Sequence, residues 1–414
     1  MIPTTWIYRA VLFTILFGLS ASTYGGNHGS AILNALVNLA PLFSIPVFVL
    51  GYFSFPRLYK IMAWLLLLGV ILLVLESKYE YGQFVYSYFV IKRFAYCGVA
   101  LSAYYAASKA GLLRIEYAVY LILGFFCFNQ IILGQIFSYN LTSETRTTLS
   151  PDALYLVIPF LYYLTLYLRG HRLVHLLASI ATLLVIILLL HRTVISSAVV
   201  AAVVVFGLAV VGKVTSFRLP LWRTFATLAL IVAITAPFTG MLPESKVNAF
   251  VENVAGIFSP KEDNTGSWRV EQAEYYLSQV PERPWFGWRY EGYDRGEIME
   301  NEDFPDKGTI IHSQYVDMLF NYGIFGLGIN IVLMLGTLIA LFRSGRTLSV
   351  DQVVLFGFII NGLVYGISYQ MPVYFWGFVG VGMYYGLMPP IEYLPEPLPE
   401  EDVDAYDSFE TLSL

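Results

Sequence analysis

Residues 173–212 read LVHLLASIATLLVIILLLHRTVISSAVVAAVVVFGLAVVG, two apolar runs separated only by His191, Arg192 and Thr193. Each run is close to the roughly 20 residues that a helix needs to cross a hydrocarbon core about 30 Å thick. With no water in that core, a spanning segment must satisfy its own backbone groups, and a helix does so without a neighbour. The stretch is a helical hairpin with a very short turn. It sets the pattern for the rest of the chain.

Outward from this hairpin, similar runs fall at 5–23, 31–53, 60–76, 94–108, 115–137, 153–168, 221–241, 318–342, 352–368 and 371–388. With the hairpin they make about twelve spans. The alternation over about ten residues that marks a barrel strand is absent. Composition agrees: of 414 residues 57% are hydrophobic and 13% charged, against about 25% charged in soluble domains. The run at 94–108 is the most interrupted, because its approach is aromatic and carries Lys92 and Arg93. The first run has no basic segment before it, only Arg9 within it, so it reads as an uncleaved span rather than a signal peptide. Cys97 and Cys127 both fall in apolar spans, where they are expected to be small buried hydrophobes that say nothing of redox compartment. No repeat of fixed period is visible.

Charge sets the orientation. Alternate short loops carry Arg57 and Lys60, Lys109 and Arg114, Arg169 and Arg172, Lys213, Arg218 and Arg223, then Arg343 and Arg346. Basic loops stay on the cytoplasmic side, which puts both termini there. The expected fold class is an all-α integral membrane protein with helices one to nine in 1–241 and helices ten to twelve in 314–388. Between them a large periplasmic loop occupies 242–313, and residues 389–414 form an acidic, Pro-rich tail expected to be disordered. Within the loop, Val247, Phe250, Val251, Val254, Ile257 and Phe258 recur at helical spacing, as in a helix lying on a membrane surface. A second helical stretch, about 267–279, contains Trp268, Gln272, Tyr275 and Tyr276. In PERPWFGWRYEGYDRG, from Pro281, proline and glycine are expected to break any regular element. A loop of this length is uncommon unless it is functional or disordered, and its aromatic content argues against disorder.

The chain has no phosphate-cradling Gly-x-x-x-x-Gly-Lys loop, no His-Glu-x-x-His, no paired Cys-x-x-Cys and no Gly-x-Ser-x-Gly. Its two cysteines and five histidines are too sparse for an all-protein metal cage, so neither metal nor other cofactor is expected. His312, in His312-Ser313-Gln314-Tyr315, falls at the water–membrane boundary, where a neutral imidazole can serve as a base. Alone it would more simply be an interfacial polar residue. Gly323, Gly326 and Gly328 most simply permit close helix packing. Arg192 is balanced between a snorkelling anchor and a functional cation. Arg269, beside Glu271 and Glu274, reads alone as a solvated charge, and Lys92 with Arg93 as a boundary anchor.

In combination these residues say more. Arg192, then Arg269 in Gly266-Ser267-Trp268-Arg269, then His-Ser-x9-Gly-x-x-Gly from His312 to Gly326, resemble the O-antigen ligase and Wzy-type polysaccharide polymerase family. Pro284-Trp285-Phe286-Gly287 is similar to that family's Pro/Gly turn after the loop helix. The resemblance is firm over 185–345. It implies a glycosyltransferase of the bacterial inner membrane, with its active site on the periplasmic face. The donor would be an undecaprenyl-diphosphate-linked glycan and the acceptor a hydroxyl, on lipid A core for a ligase or on another lipid-linked repeat for a polymerase. Membrane lipids surround it, and nucleic acid is not expected as a partner. Ligase and polymerase share these motifs; the lean is to ligase.

On this resemblance Arg192 and Arg269 hold the diphosphate, because the guanidinium stays charged and its fork matches phosphate oxygens. Each such bond is worth about 1.5–3 kcal/mol. His312 takes the acceptor proton, and nearby arginines disfavour the imidazolium form. Lys92, Arg93, Arg289 and Trp268 are further candidates for contact with the diphosphate or glycan. A single displacement inverts the anomeric centre. The main rival is a lipid-linked glycan flippase or other transporter. Missing repeated halves, spans nearly free of acids and a middle connection of only Arg169–Arg172 count against it. A scaffold subunit would explain the loop but not His312 with its arginines.

Overall fold

The hairpin at 173–212 forms two helices, Leu173–Leu188 and Arg192–Val210, that meet at His191. The computed structural model describes residues 4–22, 31–111, 113–132, 148–189, 191–215, 229, 264–294 and 311–388, and every regular element among them is helical. In chain order these are α1 Thr4–Ser22, α2 Ala31–Gly51, α3 Arg57–Tyr81, α4 Tyr88–Ala95, α5 Gly98–Ala110, α6 Ile115–Ile132, α7 Ser150–Tyr155, α8 Val157–Gly170, α9 Leu173–Leu188, α10 Arg192–Val210, α11 Asn264–Gln279, α12 Arg289–Asp294, α13 Gln314–Arg343, α14 Val350–Tyr365 and α15 Val373–Leu387. The expected ninth span, 221–241, the amphipathic stretch at 247–258 and the acidic tail lie outside the described residues.

Four described stretches are long and apolar enough to cross a bilayer: Arg57–Tyr81, Ser150–Gly170 (α7 and α8 together), Arg192–Val210 and Gln314–Arg343. The bent pair α5 and α6 is a fifth candidate, and the apolar helices over 5–18, 39–54, 173–188 and 350–365 are shorter. The run expected at 94–108 starts later, as α5, because the chain breaks at Tyr96–Cys97 after α4. Cys97 is buried as expected, but Cys127 is exposed. It lies on the outward side of α6 with Phe128 and Ile131, whose apolar faces are exposed too.

Helix α15 is buried almost all round, from Val373 to Met383, and packs against α1, α5, α13 and α14. A helix that is apolar on every side belongs in a core. Tyr374 locks it in register: its ring stacks on Tyr155 at 3.6 Å, and its hydroxyl donates to the Pro151 carbonyl at 2.5 Å. Before it, α14 starts in a capping box, with Ser349 and Gln352 satisfying each other's backbone N–H groups. The α14–α15 turn therefore hangs between two well-anchored helices.

Helix α13 is broken at Gly323, where φ is 64°. A break frees backbone groups that must find partners elsewhere. Residues 284–288 supply them: Ile324 donates to the Pro284 carbonyl at 2.8 Å, Phe325 to Trp285 at 3.1 Å, and Trp288 donates to the Phe320 carbonyl at 2.9 Å. The strap has its own left-handed glycine, Gly287 with φ 65°. A Cβ on Gly323 would sit 2.4 Å from the Trp285 carbonyl carbon, and one on Gly287 would sit 2.4 Å from the Phe320 oxygen. Backbone lies against backbone here, and only glycine fits on either side.

This corrects the expectation that Gly323, Gly326 and Gly328 serve helix packing. Gly323 admits the strap, a Cβ on Gly326 would meet Tyr322 of its own helix, and Gly328 faces open space. The strap also departs from the irregular reading, since a 3-10 turn forms at Val280–Glu282 and α12 follows it.

Candidate functional site

On α11 the residues Trp268, Gln272 and Tyr276 are four apart, so they share one face, and all three are buried. That face lies along the start of α13. The Trp268 ring meets the His312 imidazole edge-on, with centroids 5.0 Å apart and planes at 85°. Gln272 Oε1 accepts the His312 backbone N–H at 3.2 Å. Tyr276 packs edge-on against Phe320 at 4.6 Å. Burial, then Tyr275 and Asp317, push the Tyr276 phenol up to about 12. It stays protonated at neutral pH.

The α14–α15 turn forms the second wall. Gln370 Nε2 donates to the Ile311 carbonyl at 2.7 Å, and the Ser313 hydroxyl donates to the Gly366 carbonyl at 3.3 Å. The Gln314 backbone N–H donates to the same carbonyl at 3.0 Å, while its side-chain oxygen accepts Met371 N–H at 3.0 Å. The chain on both sides of His312 is thereby tied down. The same turn carries Tyr369, whose hydroxyl accepts from Arg269 Nη2 at 3.1 Å. The guanidinium also lies over the Tyr369 ring, 4.5 Å from its centroid. Arg269 and His312 thus share both walls.

Arg192 is the first residue of α10. Its neighbour His191 places Nε2 at 2.9 Å from the Thr148 carbonyl. Two residues on, the Ser150 hydroxyl donates to the Tyr365 hydroxyl at 3.1 Å, and the Tyr365 ring stacks on Tyr369 at 5.1 Å. A continuous series of contacts therefore runs from the start of α10, through the start of α7, to the turn that holds Arg269.

The family model described as O-Antigen ligase matches residues 160–331. Over that segment the chain is similar to the O-antigen ligase family. The matched segment contains Arg192, Trp268, Arg269 and His312. No curated protein matches the chain. Its apolar helices together with this family make it a multi-pass membrane protein. Among O-antigen ligase family members the general activity is glycan transfer, by ligation or polymerisation.

The remaining candidates fall elsewhere. Arg93, on α4, forms a buried ion pair with Asp317 of α13, which also accepts from Asn321 Nδ2 at 2.9 Å. The Phe89 ring covers the guanidinium at 4.0 Å. Lys92 lies 5.7 Å from the Tyr96 ring centroid, and burial, then the Arg93 charge, lower its pKa. Arg289 pairs with both oxygens of Glu76, Nε at 2.9 and 2.7 Å. That pair lies on a groove of about 420 Å³ bounded by Gly69, Leu73, Glu80, Phe94 and Phe325. Trp268, Arg269 and His312 come together; Arg93 and Arg289 are each matched to a carboxylate instead.

Several residues that build the site carry weak signals in sequence. Gln272 was visible as one of a polar helix's residues, and its spacing of four from Trp268 and Tyr276 was the clue to a buried face. Tyr369 and Gln370 sit in a turn without Lys or Arg, and nothing local marks it. Asp317, just ahead of the apolar run from 318, is a buried part of α13 and answers Arg93 across 224 positions.

Proposed function

We propose that this protein transfers a glycan from undecaprenyl diphosphate to an acceptor hydroxyl on the periplasmic face of the bacterial inner membrane. The observation that carries the reading is the junction at the start of α13. There the imidazole of His312 meets α11, while the next residue on that helix, Arg269, rests on an aromatic ring rather than a carboxylate. His312 takes the proton from the acceptor hydroxyl, whose oxygen attacks the anomeric carbon. The bond from that carbon to the diphosphate breaks, and the polyprenyl diphosphate leaves with the electron pair. Arg269 and Arg192 meet the charge that develops on it. The reaction inverts the anomeric carbon and runs without metal. The basic short loops support about twelve spans with both termini cytoplasmic, the loop at 242–313 outside and the tail at 389–414 inside. The family's description supports a lipid A core acceptor over a lipid-linked repeat.

The test is transfer of a labelled undecaprenyl-diphosphate glycan to lipid A core by purified protein in liposomes. His312→Ala lowers turnover by about 10²–10⁴ and leaves donor binding nearly intact. Correctly inserted His312→Ala protein with near-normal transfer overturns the assignment. Label that accumulates on the lipid carrier as longer chains, and not on lipid A, identifies a polymerase.

A further inference from the structure

Arg269 has an unusual setting for a cation in a mostly apolar molecule. Among the described residues it has no ion pair; its only hydrogen bond is from Nη2 to the Tyr369 hydroxyl, and its Nε is buried without a partner. The guanidinium plane is backed by the Tyr369 ring at 4.5 Å, and that ring is backed by Tyr365 at 5.1 Å. Tyr365 is fully buried and its hydroxyl is bonded to Ser150. Tyr369 itself lies between Gly366 and Gln370, the two residues that fix the chain on either side of His312.

We propose that Tyr369 is a positioning residue for Arg269. Its hydroxyl holds one terminal nitrogen and its ring holds the plane, so the unpartnered Nε edge of the fork is kept turned toward the diphosphate. The aromatic shelf supplies attraction without a countercharge. A carboxylate in the same place would orient the guanidinium equally well, but it would neutralise the charge that the leaving group needs. The long arginine side chain loses rotational freedom in the folded protein rather than at binding, and preorganisation of that kind raises affinity. This inference rests on the reading of Arg269 as a diphosphate ligand.

The experiment is a double-mutant cycle on binding of farnesyl diphosphate, a short soluble polyprenyl diphosphate, to the detergent-purified full-length protein. Tyr369→Phe keeps the ring and loses the hydroxyl, and it weakens binding about two- to tenfold. Tyr369→Ala loses both and weakens binding roughly tenfold or more. In an Arg269→Ala background both changes shrink to less than about twofold, because their target is gone. Thermal melting in each variant guards against misfolding, and Tyr369→Phe is the conservative member. Equal losses from Tyr369→Ala in both backgrounds, or no loss in either while Arg269→Ala binds poorly, overturn the positioning role alone. Arg269→Ala protein that binds as tightly as the wild type overturns the diphosphate reading, and the positioning role with it.

Discussion

Arg93 and Arg269 both sit beside α13, yet the protein treats their charges in opposite ways. Arg93 is 7% exposed and faces Asp317, itself 1% exposed, with Asn321 completing the carboxylate's hydrogen bonds. Arg269 faces tyrosine rings and a hydroxyl. A buried guanidinium matched to a carboxylate is neutral as a unit and acts as a strut between helices. A guanidinium held by aromatic faces keeps its full charge for something that arrives later. Arg289 with Glu76, and Arg283 with Glu291 at 2.6 Å, are also matched to carboxylates, but nearer the surface. The comparison sorts cations by what neutralises them, which a count of basic residues near the site does not.

The largest expected effect tests the strut. Asp317→Ala leaves Arg93 buried and uncompensated, a loss of about 3–5 kcal/mol, and folded protein in the membrane should fall sharply. Arg93→Met together with Asp317→Leu removes both charges at similar volume and should restore the amount of protein and its transfer activity. A well-folded double variant without transfer would break the comparison, because Arg93 would then be meeting substrate.

Next in size is Arg269, which has no ion pair among the described residues. Arg269→Ala removes one charge-assisted contact, about 1.5–3 kcal/mol, so transfer should fall by about 10- to 150-fold with the protein level unchanged. Arg269→Lys keeps the charge but loses the fork, and should fall between wild type and alanine. Lysine with full activity would reduce Arg269 to a generic positive field. Smallest of all is Arg283→Ala. Its pair with Glu291 is partly exposed on both sides, and such pairs contribute about 0.2–1 kcal/mol. Melting temperature and transfer should both stay near wild type; a loss comparable with that of Arg269→Ala would mean the sorting rule is wrong.

How much of this was legible in the sequence depends on the distance over which each feature is decided. The apolar runs are local, and except for 221–241 each overlies a described helix. The helix at 264–279 was legible for the same reason. Arg192, Arg269 and His312 were visible as a spaced set, and the structure brings Arg269 and His312, with Trp268, to one junction. Tyr369 was not visible, because its role exists only once the α14–α15 turn lies against α11. Nor was the reason for Gly323. In sequence it is one of several small residues in an apolar helix; its purpose becomes clear only when the backbone of Trp285 and Phe286, nearly forty positions earlier, lies against it. Arg93 was misjudged as a boundary anchor for the same cause, since its carboxylate partner is 224 positions away.

That last separation bears on how the chain is made. Ribosomes add about 5–20 residues each second, so Arg93 is added to the chain roughly 11–45 s before residue 317 exists. Throughout that interval Arg93 has no Asp317 to pair with, and a buried charge without its partner is costly. Its buried contact with α13 can close only when the later helix arrives. The ion pair is therefore also a signal of completion: α4 gains its buried partner only after the segment bearing His312 has been synthesised.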